Sequence, residues 1–265
     1  MDSFKDAVRS NTGLLAAAEK RALIWIAGRL PEAVNSDHLT GLALFAMLMV
    51  GASFALSSRL PIMLWWVVFW LSVNWFGDSL DGTLARVRQQ QRPRYGFYID
   101  HIFDSFGALF VLAGMALSGR MTPLIASAVL IAYFLLSIEI YLATYCVGRF
   151  EMSHWGLGPT ELRIVLAIGA LTLLVKPLVT IAGVRLPLFD AGGMVAAAAM
   201  VLTATVATLR HICALYAAEP IAPGLQSKTR PTYVGRVLLD PPSVGAAAQV
   251  LHDVADHTLR VAKEH

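Results

Sequence analysis

From residue 39 onward the chain alternates long apolar stretches with short polar breaks. Six apolar blocks stand out: Leu39–Leu56, Ile62–Leu84, Phe97–Leu117, Leu124–Val147, Leu162–Ile181 and Ala191–Ala217. Each is near the roughly 20 residues that carry an α-helix across about 30 Å of hydrocarbon. Their ends are marked by breakers such as Pro61, Pro123, Pro159 and Pro177. The sixth opens in "AGGMVAAAAM", a small-residue run suited to close helix packing. Ahead of the first block, "LLAAAEKRALIWIAGRLPEAV" repeats apolar residues at helical spacing, with Glu19, Lys20, Arg21 and Arg29 on other faces. That pattern predicts an amphipathic helix lying on a membrane surface. The expected fold class is an all-α integral membrane protein: a six-transmembrane-helix bundle preceded by an N-terminal amphipathic surface helix. The expected division is a juxtamembrane segment at 1–34, the six-helix domain at 35–217 and a polar tail at 218–265. Within the tail, "AAAQVLHDVADHTLRVAKEH" has the pattern of a short amphipathic helix.

Composition sharpens this picture. The 265 residues are 57% hydrophobic and 15% charged, with mean hydropathy +0.62. Soluble domains run at about 45–50% apolar and about 25% charged, so the excess belongs to a lipid phase. A net charge of +3 points to no nucleic-acid partner. No cleavable signal peptide is expected, since a long polar stretch precedes the first apolar block. Cys146 and Cys213 both fall in apolar segments and read as small buried hydrophobes. The placement of arginine matters more than its sum. The break after the second block, "RVRQQQRPR", holds Arg86, Arg88, Arg92 and Arg94, while "SSRLP" and "SGRMTP" hold one arginine each. The positive-inside rule puts the four-arginine loop in the cytoplasm. With six crossings both termini follow, in what is expected to be a bacterial inner or plasma membrane.

Against this apolar background four aspartates are conspicuous. Asp78 and Asp81 are three residues apart, and Asp100 and Asp104 four apart. Both spacings set side chains on one helical face about 5–6 Å apart. The short loop between the two helices makes them antiparallel neighbours whose acidic faces can meet. An unpartnered acid at a helix centre costs about 2.5–3.5 kcal/mol on insertion scales, and four together cannot all stay ionised. Divalent cations remove the conflict, and an all-oxygen donor set suits Mg²⁺, Mn²⁺ or Ca²⁺ rather than zinc. Four carboxylates are ample for two ions. Gly82 allows close approach to the helix, and Arg86, one turn on, is a fixed cation suited to a phosphate. These residues point to metal-dependent phosphoryl chemistry at the cytosolic face. A membrane metal or ion transporter is the alternative, since paired intramembrane acids also mark ion paths. It requires polar groups continuing to the far side, and the outer halves of the second and third helices show none of consequence.

The stretch "DSLDGTLARVRQQQRPRYGFYIDHIFD" resembles the signature of the CDP-alcohol phosphotransferase family, D-x-x-D-G-x-x-A-R followed by G-x-x-x-D-x-x-x-D. Asp78, Asp81, Gly82, Ala85, Arg86, Gly96, Asp100 and Asp104 match all its fixed positions. Residues 87–95 make a gap one longer than the family's usual spacing, and the extra residue falls in the loop. The resemblance implies transfer of a substituted phosphate from a CDP-alcohol to a hydroxyl acceptor, with release of CMP, in phospholipid biosynthesis. It implies two Mg²⁺ or Mn²⁺ ions held by Asp78, Asp81 and Asp100, and a catalytic Asp104 that acts as general base and touches one metal. It further implies that Gly82, Ala85 and Gly96 make room for the nucleotide and that Arg86 meets its phosphates. One substrate is lipidic, so partners include membrane lipids, and family members often form homodimers. The likeness covers roughly residues 35–217 and makes the six-helix domain the catalytic one.

Other features carry weaker signals. "NSDHLTGLAL" opens the first membrane helix; Thr40 is a candidate for the cytidine pocket, and Asp37 or Ser36 is the expected N-cap. "GPTELR", from Gly158 to Arg163, resembles a stretch in the choline/ethanolamine branch of the family. Glu161 and Arg163 are candidate acceptor-site residues, with Arg163 suited to an acceptor phosphate; an ion pair or helix cap accounts for them equally. Glu139, inside the fourth block, is either functional or hydrogen-bonded to Tyr141 or another neighbour. His101 points about 100° from Asp100 and, with His154, is a minor candidate. Trp65, Trp66 and Trp70 mark helix packing and the interface. Both CDP-diacylglycerol with a polar alcohol, and CDP-choline or CDP-ethanolamine with diacylglycerol, fit the motif.

Overall fold

The computed structural model describes residues 16–147, 158–181 and 183–219. It is mostly helical. Helix α1 spans Ala16–Ala27, α2 Ser36–Leu56, α3 Met63–Val87, α4 Pro93–Leu117, α5 Pro123–Val147, α6 Pro159–Val175 and α7 Leu188–Ala218. A hairpin of β1 (Leu178–Ile181) and β2 (Val184–Pro187) separates α6 from α7. Four helices, α2, α4, α5 and α7, are long and apolar enough to cross a membrane. Helix α3 has the length, but Asn74, Asp78, Asp81 and Arg86 lower its hydropathy; α6, with 17 residues, is short. The His154 candidate and the predicted tail helix lie outside the described residues.

Local chemistry sets the helix ends. Asn35, not Asp37 or Ser36, caps α2: its side chain accepts from the His38 amide at 2.8 Å, and its own amide approaches His38 Nδ1 at 3.4 Å. The first four amides of a helix lack internal partners, and Asn35 is one residue earlier than the sequence suggested. Proline stands at the start of α4, α5 and α6, where its missing N–H is no loss. Helix α3 closes with the Gln90 amide donating to the Ala85 carbonyl at 2.9 Å and the Gln89 amide to Arg86 at 3.2 Å. This double closure requires a left-handed residue, and Gln89 takes φ 55° in a place usually given to glycine.

The fifth block was expected to stay helical to Ile181. Instead Lys176 and Pro177 end α6, because proline carries no N–H and disfavours a helical residue before it. Thr180 then pairs with Arg185 across the hairpin, and Gly183, at φ 82°, makes the turn.

Helix α2 sits between α3 and α4; α5 packs on α7, and α6 on α3. The main core gathers Val50, Phe54, Leu64, Val67, Val111 and Met115. A second cluster joins Leu23 and Ala27 of α1 to Leu39, Leu80 and Leu84. Outside the bundle, large apolar side chains are exposed, among them Trp65, Phe69, Leu117, Leu124 and Val195. Cys146 and Cys213 share this exposed surface, which corrects the expectation that they are buried. Their apolar setting reflects the outer face of a lipid-facing helix, not the core. Close approach between α2 and α3 depends on Gly77, where a methyl would stand 2.7 Å from the Leu39 carbonyl oxygen.

Candidate active site

Helices α3 and α4, expected to pack directly as neighbours, are joined by a short turn but each packs on α2, so their aspartates meet across a cavity that all three helices line. Asp78 from α3 and Asp100 and Asp104 from α4 line one narrow cavity of about 20 Å³, closed on the α2 side by Thr40, Ala43 and Met47. Such a volume admits about one water molecule. Asp104 sits within the field of Asp78, Asp100, Asp81 and Arg163.

Each α3 aspartate has a defined partner. The Thr40 hydroxyl donates to Asp81 Oδ2 at 2.6 Å, and the Gly82 amide to Oδ1 at 2.5 Å. The Ser36 hydroxyl donates to the Asp81 carbonyl at 3.0 Å. Ser36, expected as a cap, therefore ties α2 to the aspartate's own backbone. Gly77 lets α2 come near enough for both contacts. Asp78 accepts from Arg163 Nη2 at 2.5 Å, while Arg163 Nε donates to Asn74 Oδ1 at 2.7 Å. Asn74 is buried and donates in turn to the Ala43 carbonyl at 3.0 Å. Sequence reasoning passed over Asn74, although it lies four residues before Asp78 and so on the same helical face.

The remaining candidates divide around this centre. Arg86 is exposed; its Nη2 donates to Thr83 Oγ1 at 3.1 Å, and its guanidinium covers Gly82, with Nη1 at 3.4 Å from where a methyl would sit. Ala85 lines a separate, wider cleft of about 450 Å³, bounded by Asn35, Ser36, Asp37, Gln90, Gln91 and Arg92. Gly96 lies exposed in the first turn of α4, with open space where a side chain would be. Arg88 donates to the carbonyls of Val34 at 2.5 Å, Pro31 at 2.9 Å and Leu30 at 3.0 Å, stitching the arginine-rich loop to the α1–α2 connection. Arg92 adds a two-oxygen contact to Asp37 across the wide cleft. The Asp37 hydrogen bond holds the Arg92 guanidinium above the ordinary arginine pKa. Both residues are exposed, so the bridge is weak and can open.

Glu161 accepts from the Gly158 amide at 3.0 Å and so serves the start of α6. Glu139 meets His211 Nδ1 of α7 at 2.5 Å, so of the partners considered from sequence it takes a neighbouring helix rather than Tyr141. His101 Nδ1 lies 2.7 Å from the Phe97 carbonyl, and its ring stacks on Phe97.

The donor set suits a hard divalent cation: several carboxylates, all oxygen, on two facing helices. As the side chains stand, no three acidic, histidine or cysteine residues among those described converge closely enough to cage an ion. Asp78 is turned to Arg163 and Asp81 to Thr40 and Gly82. The chemistry of the site fits a metal, and its present rotamers serve protein partners.

No curated protein gives a significant match to the chain. A family model described as CDP-alcohol phosphatidyltransferase matches residues 34–209, from the residue before the Asn35 cap through most of α7. That span covers well over half the chain and contains the aspartates, Thr40, Asn74 and Arg163. The protein belongs to the CDP-alcohol phosphatidyltransferase family, transferases of substituted phosphate groups that act on CDP-alcohols in membrane lipid synthesis.

Proposed function

We propose that this protein is a metal-dependent CDP-alcohol phosphotransferase whose reaction centre is the cavity between α3 and α4. The observation that carries the reading is the convergence of Asp78, Asp100 and Asp104 on one cavity, with Asp81 held beside it by Thr40. The nucleotide end of the CDP-alcohol lies towards the wide cleft at Ala85, and Arg86, on the same helix, faces its diphosphate. Asp104 takes the proton of the acceptor hydroxyl. The acceptor oxygen attacks the phosphorus that bears the alcohol, the bond to the bridging oxygen breaks, and CMP leaves with that oxygen. Two Mg²⁺ or Mn²⁺ ions would be held by Asp78, Asp81 and Asp100, with Asp104 against one of them. When bound, they neutralise the charge that builds on the diphosphate oxygens. Gly82 and Gly96 keep side chains out of the nucleotide's way.

All six helices α2–α7 cross the membrane in this reading, and α1 lies along its surface. The reaction centre and both termini face the cytoplasm, because Arg86, Arg88, Arg92 and Arg94 surround the α3–α4 turn. One substrate enters from water and one from lipid, which accounts for polar groups at one end of an apolar bundle. The donor is CDP-diacylglycerol or a CDP-choline or CDP-ethanolamine type of alcohol.

The test is CMP release, followed by mass spectrometry, from purified protein in vesicles supplied with a panel of CDP-alcohols, acceptors and Mg²⁺. Asp104→Asn should lower the rate by about a hundredfold or more, the scale of losing a positioned acid-base group, and Asp81→Asn, which removes a proposed metal ligand, should lower it at least about tenfold. CMP release by Asp81→Asn at the wild-type rate would sink the proposal. Passage of labelled metal into vesicles without CMP would favour transport.

A further inference from the structure

The strongest unexplained interaction is the one between Arg163 and Asp78. It bridges α6 and α3, 85 positions apart in sequence. The two side chains are only 14% and 23% exposed, so the pair stands largely out of water. Arg163 is gripped on two sides. Its Nη2 meets Asp78 at 2.5 Å and its Nε meets Asn74 at 2.7 Å, while Asn74 is anchored to the Ala43 carbonyl. A guanidinium presents its donors in a fixed fork, and here Asn74 and Asp78, one helical turn apart, supply acceptors that match it. Half-buried carboxylates beside Asp100 and Asp104 need a positive partner. Arg163 supplies one from the protein itself.

We propose that Arg163 is a built-in stand-in for a divalent cation: it holds Asp78 while the metal site is empty, and metal entry displaces it. The inference rests on the reading of the aspartates as the cation-binding group. The guanidinium holds Asp78 Oδ2 at 2.5 Å and places a positive charge against the carboxylate, so an arriving ion competes with it for Asp78. Once displaced from Asp78, the guanidinium remains beside the reaction centre, held by Asn74 through Nε and with its Nη2 donor released. Its chemistry then suits a phosphate oxygen of a bound substrate. Metal and phosphate-bearing substrate should therefore bind cooperatively, each favouring the arrangement in which Arg163 has left Asp78. Arg163 acts in this scheme as a positioning residue.

The inference is tested with Mn²⁺ alone, on full-length protein in detergent, by calorimetry or by the loss of free Mn²⁺ signal in electron paramagnetic resonance. If the pair is closed about nine-tenths of the time, Arg163→Gln should bind Mn²⁺ about tenfold more tightly than wild type. Arg86→Gln removes an equal charge from the same region without touching Asp78 and should give a smaller gain. Equal gains in the two variants, no gain in Arg163→Gln, or no Mn²⁺ bound by wild type would overturn the proposal. A second readout needs no variant. Phenylglyoxal modifies accessible arginines, and peptide mass spectrometry of wild-type protein reads the rate at Arg163. Mn²⁺ should raise that rate; an unchanged or lower rate overturns the displacement. Neither readout uses a CDP-alcohol, so a protein that shows both effects yet releases no CMP refutes the proposed function and leaves this exchange standing.

Discussion

At the scale of single residues, the aspartates do not act as bare charges; each is aimed by a neighbour. Thr40 shows this best, because its hydroxyl is buried and spans from α2 to Asp81 on α3. A hydrogen bond to a charged group contributes about 1.5–3 kcal/mol. Thr40→Val removes the donor and keeps the shape, so it should lower kcat/KM for CMP release by about tenfold to a hundredfold, at tenfold per 1.36 kcal/mol. Thr40→Ser keeps the hydroxyl and should recover most of the loss. Thr40→Ser should melt close to wild type, whereas Thr40→Val, which leaves Asp81 without this donor, should lose about 1–3 kcal/mol of stability. Equal activity of Thr40→Val and wild type would mean that Asp81 does not need this orientation. The aspartates, Gly82, Ala85 and Arg86 were legible in sequence, because chemistry at fixed helical spacing announces itself. Thr40 was legible as a candidate, although its partner was not. Arg163 was likewise legible as a candidate without its partners, and Asn74 escaped altogether, for a plainer reason. Their contacts join segments up to 89 positions apart, and no local pattern reports which helix faces which.

At the scale of elements, the apolar blocks located the helices, but their starts fell a few residues early: Asn35 caps α2 one residue before the expected position, and α4 starts at Pro93 and not at Phe97. The fifth block failed because "LVTI" after Pro177 is apolar whether it coils or extends. Periodicity alone does not separate a short apolar strand from a helix end; Gly183 and the β-branched residues were the available signal. The pairing of α5 with α7 was also invisible, since both are apolar almost all round. Its polar mark is Glu139 with His211. Removing one partner leaves the other in an apolar interface, whereas replacing both by apolar side chains restores consistency. Glu139→Leu alone should destabilise by about 1–2 kcal/mol, the scale of one partly exposed hydrogen-bonded pair. The double variant Glu139→Leu, His211→Leu should regain at least half of that in thermal unfolding in detergent. If the double variant melts below Glu139→Leu, the pair is no simple clasp, and a role for the histidine beyond packing follows.

At the scale of the whole molecule, polarity and burial are distributed unevenly from end to end. The carboxylates, the four arginines and the wide cleft all gather where α3 ends and α4 begins. Beyond them the bundle is filled by Phe54, Leu64, Val67 and Met115, which are buried. At the opposite ends of the helices polar contacts between elements return, with Arg120 donating to the Ser57 carbonyl at 3.0 Å and Asp190 accepting from the Thr122 amide at 2.6 Å. An apolar plug between two polar ends suits chemistry at one face and opposes an ion path through the middle. Among α2–α7, helices α3 and α6 are the two that fall short as spanning segments by composition or length; they pack against each other, and α3 lies against α2. In that position the other helices can shield their polar residues from lipid. If the arginine-rich end faces the cytoplasm, the two ends differ in their access to reagents outside the cell. In a background with Cys146 and Cys213 replaced by alanine, Gln90→Cys should resist a membrane-impermeant maleimide on intact cells. Gly119→Cys, in the turn between α4 and α5, should react. Both should react once the membrane is opened. Labelling of position 90 and not of 119 on intact cells would invert the protein in the membrane. It would also move CMP release to the outside, away from the nucleotide supply that the proposed reaction draws on.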